Sequence, residues 1–184
     1  DSTTFNEAHW LKRVRYTDDT AVNNLEIGGR NLIRNTSSIL KEGVYSGSST
    51  PYLDGGYAPV LDNGVYTVSI YVQGITGTGV GVRLRTYWYL NAHPNLGTLY
   101  SQYIYEDGVI SFTTNNKPTD ANRLYVALAF SSSVSDFPLS YAKLKVEKGN
   151  KATDWTPAPE DVEASIETSK TEAENAAKAY ADAK

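Results

Sequence analysis

Hydrophobic and polar residues alternate through the middle of this chain, and a two-residue period predicts β-strands. Tyr66-Thr67-Val68-Ser69-Ile70-Tyr71-Val72-Gln73 follows it, as does Val80 through Leu90. Val109–Thr113, Leu124–Phe130 and Tyr141–Glu147 read as further strands. Turn signals separate them at Asp62-Asn63-Gly64, Asp107-Gly108 and Asn115-Asn116-Lys117-Pro118. Short strands between Gly- and Asn-rich turns, with no helical period, predict an all-β sandwich or barrel over residues 29–157.

The pattern changes at both ends. In residues 1–28 one alternating stretch, His9 to Tyr16, precedes a polar run and the Gly28-Gly29 pair. This reads as the end of a preceding module or a linker. In residues 158–184 an Ala/Glu/Lys-rich helix is expected to begin at Asp161 after Pro157 and Pro159. Val162, Ile166, Ser169, Ala173, Ala176, Tyr180 and Ala183 then recur at alternating spacings of four and three. That is heptad spacing, and it predicts the start of a homo-oligomeric coiled coil, with a solvated helical linker as the other reading.

Alternation also assigns faces. In Val80–Leu90, Val82, Leu84, Thr86, Trp88 and Leu90 point one way and Arg83, Arg85, Tyr87 and Tyr89 the other. Tyr71 and Gln73, and Tyr125 with Ala127 and Ala129, occupy the corresponding outer positions of their strands. If these strands share a sheet, Tyr71, Gln73, Arg83, Arg85, Tyr87, Tyr89 and Tyr125 form one face, with alanines as the floor of a groove. Ring platforms beside guanidinium donors suit a glycan. A face covered by a loop or by a neighbouring subunit is the other reading. Tyr100, Tyr103 and Tyr105 form a second cluster, either a binding rim near the Asn91–Gly97 loop or half core, with Tyr100 on the opposite face from the other two. Trp155, just before the prolines, is expected to clasp the end of the sandwich.

Composition sharpens this. The chain has 14 Tyr and 3 Trp against 4 Phe, so most of its rings carry a polar handle suited to amphipathic partners. It has no Cys, which excludes disulfides and thiol chemistry. It has no Met, so it is expected to be part of a larger product. The net charge of −4 lies in the tail: residues 160–184 hold seven acids and three bases, and the rest balances. A neutral body excludes a broad basic field for nucleic acid or anionic membrane. No apolar run has membrane-spanning length. His9 and His93 lack the surroundings of a nucleophilic triad, and Glu106-Asp107 sits in a turn. The predicted face has no opposed carboxylates, so no enzyme is expected. Asp54, Asp62 and Asp154 are candidate ligands for a structural Ca²⁺.

Two stretches at the ends of the β region carry a resemblance. They are Gly29-Arg30-Asn31-Leu32-Ile33-Arg34-Asn35-Thr36 and the run from Ala142 to Asp161, which includes Lys148-Gly149-Asn150-Lys151-Ala152-Thr153-Asp154-Trp155-Thr156-Pro157. Together they resemble carbohydrate-binding-module-like domains in tail and baseplate proteins of phages that infect Gram-positive bacteria. The resemblance covers residues 29–161. It implies a jelly-roll sandwich, a place in the virion tail beside other phage tail proteins, and adhesion to host cell-wall polysaccharide. Some domains of this kind act only as spacers, so a structural spacer or assembly domain is the alternative it implies. The resemblance does not say which residues touch sugar.

Overall fold

The structure is a computed structural model that describes residues 29–91 and 94–183; the expectations for residues 1–28 and for His93 lie outside the described residues. The elements are β1 (Lys41–Ser49), β2 (Tyr57–Pro59), β3 (Tyr66–Gln73), β4 (Val82–Tyr89), β5 (Asn95–Tyr100), β6 (Gly108–Thr113), β7 (Arg123–Lys148) and α1 (Pro159–Asp182), with a 3-10 turn at Leu53–Gly55. This is an all-β sandwich of the expected jelly-roll class, followed by a helix.

β7 is the spine. Its first third pairs antiparallel with β4, from Tyr89↔Arg123 to Val82↔Phe130. Its last third pairs antiparallel with β3, from Gln73↔Ser140 to Tyr66↔Lys148. β5 extends β4 and β6 extends β3, giving the order β5-β4-β7-β3-β6. β1 and β2 run along the other edge of β7: Tyr141 is flanked by Lys41 and Val72, and Tyr125 by Tyr57 and Tyr87. Because β7 bends between its two ends, β3 and β4 do not pair but face each other. The rings of Tyr66 and Trp88 meet edge-on at 5.9 Å between them.

The inward sets follow the alternation. Val68, Ile70 and Val72 of β3 and Val82, Leu84 and Trp88 of β4 are buried. Leu124, Val126, Leu128 and Phe130 of β7 join them in one core. Burying these side chains is the main force that closes the sandwich.

Three elements differ from the sequence-based expectation. Leu124–Phe130 and Tyr141–Glu147 are the two ends of one 26-residue strand. The polar stretch Ser131–Pro138 stays extended because β1 pairs along it, with register shifts at Gly47 and Asp136 in the left-handed region (φ 48). β1 itself, Lys-Glu-Gly-Val-Tyr-Ser-Gly-Ser-Ser, has no alternating apolar set to announce it. β5 begins at Asn95, inside the stretch Asn91–Gly97 that reads as a loop.

The two motif stretches form a lock. Asn31 is fully buried. Its Nδ2 donates to Thr36 Oγ1, Leu144 O and Thr156 O, and its Oδ1 accepts from Ile33 N and Val146 N. Trp155 Nε1 donates to Thr36 Oγ1 (3.3 Å) and Leu144 O (3.2 Å), the expected clasp. Beside it Lys145 and Glu147, each 1% exposed, pair at 3.4 Å, and Thr153 Oγ1 accepts from Lys145 Nζ while donating to Glu147 Oε2. The first turn of α1 is tied in as well. Arg30 pairs with Glu160, and Asp161 accepts from Arg34 Nε and Asn35 N. The helix therefore starts at Pro159, two residues before the expected Asp161, with proline in the first turn where its missing N–H costs nothing. Beyond that turn no residue of α1 is buried, and Val162, Ile166 and Tyr180 are exposed.

Candidate functional site

The outer residues of β4 and of the first third of β7 lie side by side. Strand register sets Tyr87 opposite Tyr125, Arg85 opposite Ala127 and Arg83 opposite Ala129. All of these are partly or fully covered, the alanines almost completely. Five of the seven predicted face residues, Arg83, Arg85, Tyr87, Tyr89 and Tyr125, are thus brought together.

The covering comes from rings that alternation along one strand does not reveal. Tyr52, just before the 3-10 turn, lies 4.7 Å from the Tyr125 ring and 5.3 Å from Tyr87, centroid to centroid. Its hydroxyl is 2.8 Å from that of Tyr89. Burial raises the Tyr52 phenol well above its ordinary value, and the hydrogen bond with Tyr89 adds to the rise. The Tyr87 phenol is raised too, chiefly by burial, with Arg85 opposing. Both stay protonated at neutral pH and remain able to donate. Tyr57 of β2 extends the stack, 5.5 Å from Tyr125, with the Arg123 guanidinium 4.1 Å above its ring.

The arginines are held between rings. Arg83 lies 4.0 Å from the Tyr100 centroid and 4.4 Å from that of Tyr103. Arg85 lies 4.7 Å from Tyr87 and 5.6 Å from Tyr100. Tyr100 and Tyr103 thus share a face, contrary to alternation, because β5 ends at Tyr100 and the chain runs irregularly to an isolated bridge at Ile104. Tyr105 packs over Gly81, where a Cβ would stand 2.8 Å from its ring. The cluster that reads as either a rim or half core continues, at Tyr100 and Tyr103, the arginine-bearing face. The signal for Tyr52 and Tyr57 was tyrosine beside proline and glycine in Thr50–Pro59, which carries no period to orient it.

Tyr71 and Gln73 do not join this face. They sit on β3, which pairs with the opposite end of β7. Tyr71 lines a separate groove of about 400 Å³ with Ser69, Val109, Lys143, Asp154 and Trp155. The premise that β3 and β4 present a common outer surface fails because β7 bends between them.

The expected Ca²⁺ ligands are also dispersed. Asp54 accepts from Lys41 Nζ (2.9 Å) and Tyr141 OH (3.0 Å), and Asp62 reaches Lys148 Nζ at 3.6 Å. Asp154 lines the Tyr71 groove. Among the described residues no group of three His, Cys, Asp or Glu converges to hold a metal. Asp107, exposed in its turn, also anchors the loop after β3. Its Oδ1 accepts from the backbone N–H of Gly74, Ile75 and Thr76, and these bonds hold the carboxyl below its usual 3.8.

No protein-family model matches the chain, and no curated protein matches it in sequence. Solved structures do. One is the tripod from the baseplate of bacteriophage Tuc2009, at 16% identity and TM-score 0.44 over 74% of this chain and 61% of that one. Another is the CBM22-1 and GH10 modules of Clostridium thermocellum xylanase 10B, complexed with xylohexaose, at 12% identity and TM-score 0.42 over 70% and 30%. A third is a carbohydrate-binding module of Cellvibrio mixtus lichenase 5A in complex with cellotriose, at 14% identity and TM-score 0.35 over 71% and 94%. The chain spans less than two thirds of the first two structures it resembles.

Proposed function

We propose that this domain is a non-catalytic adhesion module of a phage tail, and that it binds a saccharide of the host cell wall through the outer face of β4 and β7. One observation carries the reading. Tyr52, Tyr57, Tyr87, Tyr89, Tyr100 and Tyr125 assemble with Arg83 and Arg85 into a continuous surface, although they come from five separate stretches of chain. Flat rings with phenolic donors and planar guanidinium groups match the CH faces and hydroxyls of a pyranose. Exposed rings at Tyr52, Tyr57 and Tyr100 offer the stacking platforms, while the half-buried Tyr87 and Tyr125 position them. The virion-tail setting rests on the resemblance of the Gly29–Thr36 and Ala142–Asp161 stretches.

A single shallow face binds a glycan weakly, and copies in one particle compensate through effective concentration. The exposed row Val162, Ile166 and Tyr180 on α1 is the surface through which a second copy of this chain would pack in a coiled coil. A spacer or assembly domain is the second reading, and the Tyr52 ring lying over Tyr125 favours it, since a loop already covers part of the face. The test is binding of the protein, displayed at fixed valency on a carrier, to intact Gram-positive host cells. Saccharide released from those walls should compete the binding away. Binding that only another tail protein competes, or no binding, establishes the spacer.

A further inference from the structure

The saccharide face carries positive charge that the protein does not neutralise. Arg83, Arg85 and Arg123 stand on it, and among the described residues no ion pair reaches any of the three. Arg30, Arg34, Lys41 and Lys148 each have a carboxylate within reach, whereas Lys143 and Lys151, exposed elsewhere on the sandwich, have none among the described residues but do not stack on rings. On this face the guanidinium groups lie against tyrosine rings, and among the described residues the buried Nε atoms of Arg83 and Arg85 have no hydrogen-bond partner. The rings lie 4.0 to 4.7 Å from the two guanidinium carbons, and both arginines are half-buried with their Nε atoms covered. A planar fork fixed in this way is preorganised for a two-oxygen anion. A neutral sugar would leave that charge unmatched. Resting on the saccharide reading above, we infer that the ligand is an anionic glycan, one bearing a carboxylate or phosphodiester along its chain, and that Arg83 and Arg85 bind the charge while tyrosines stack on the sugar.

The two anion sources and the neutral alternative can be separated. The probes are polygalacturonate, its fully methyl-esterified form, and poly(glycerol phosphate), measured by affinity electrophoresis alongside purified host wall. The expected result is retardation by at least one acidic polymer, lost as salt rises through about 0.1 M, and, where polygalacturonate is that polymer, at least about tenfold weaker for its methyl ester. Retardation by polygalacturonate alone assigns a carboxylate, and by poly(glycerol phosphate) alone a phosphodiester. The double variant Arg83→Gln/Arg85→Gln should lose acidic binding, while Arg83→Lys/Arg85→Lys, which keeps the charge but not the fork, should retain part of it. The lysine variant also controls for folding, since it removes the guanidinium stack without removing the charge. Retardation by both galacturonate polymers to an equal degree, or equal binding of wall before and after removal of its anionic groups, overturns the inference and leaves the saccharide reading standing. No binding to any polymer or to wall overturns both.

Discussion

Tyr87 and Trp88 are neighbours in sequence with opposite tasks. Trp88 is 2% exposed and its ring meets Tyr66 in the core, so Trp88→Ala opens a cavity and should cost about 3–5 kcal/mol of stability. Tyr87 lies on the outer face against Tyr52 and Arg85. Tyr87→Ala should weaken glycan binding by on the order of 1 kcal/mol or more, with a smaller loss of thermal stability than Trp88→Ala. Melting curves and binding isotherms on the same two proteins check this. Asp107 gives a pH prediction. Its folded carboxyl is held below 3.8 by three backbone N–H groups, so it binds fewer protons folded than unfolded. Its contribution is present above the unfolded value and is lost as pH falls through the lowered one. Asp107→Asn should therefore flatten the acid limb of the stability–pH profile below about pH 4. An unchanged limb would show that the loop bonds contribute nothing. At this scale the sequence was informative where a strand is regular: the outward set Arg83, Arg85, Tyr87 and Tyr89 follows from period two. It was silent on Tyr52, which lies in a turn, and wrong on Tyr103, where the strand stops and the period with it.

Among the elements, β7 explains most of what the pattern missed. The alternating ends Leu124–Phe130 and Tyr141–Glu147 were visible, but Ser131–Pro138 is extended only because β1 lies beside it, a long-range pairing with no local signal. The same bend sends Tyr71 and Gln73 to another surface, so orientation within a strand was legible and the relation between strands was not. The last third of β7 carries the buried Lys145–Glu147 pair. Lys145→Met leaves Glu147 buried with Thr153 as its remaining partner, and should destabilise the domain by about 3–5 kcal/mol in chemical denaturation. Little change would mean that Thr153 alone satisfies the carboxylate. For α1, the cut matters. Ala158 is fully buried, and Glu160 and Asp161 bond Arg30, Arg34 and Asn35. A chain shortened to Glu163 should keep the melting temperature of the full chain, whereas one ending at Pro159 should lose part of it. If the α1 seam pairs copies, sedimentation should show the oligomer of the full chain disappear in both. A full chain that stays monomeric at high concentration contradicts the seam.

At the scale of the molecule the charges separate. The acidic excess sits on α1, residues 29–157 of the sandwich carry eleven bases against nine acids, and within the sandwich three arginines without an ion pair share one tyrosine-rich face. The central claim is that this face, and not the Tyr71–Trp155 groove, holds host saccharide. The most direct measurement compares three proteins at equal valency on intact host cells: the unaltered chain, Arg85→Gln/Tyr87→Ala, and Tyr71→Ala, each confirmed as folded by its melting curve. The face variant should lose at least about tenfold in binding, which is about 1.4 kcal/mol, while Tyr71→Ala binds as the unaltered chain does. Retained binding by the face variant together with loss in Tyr71→Ala would move the site to the groove, and retained binding by both would contradict the account.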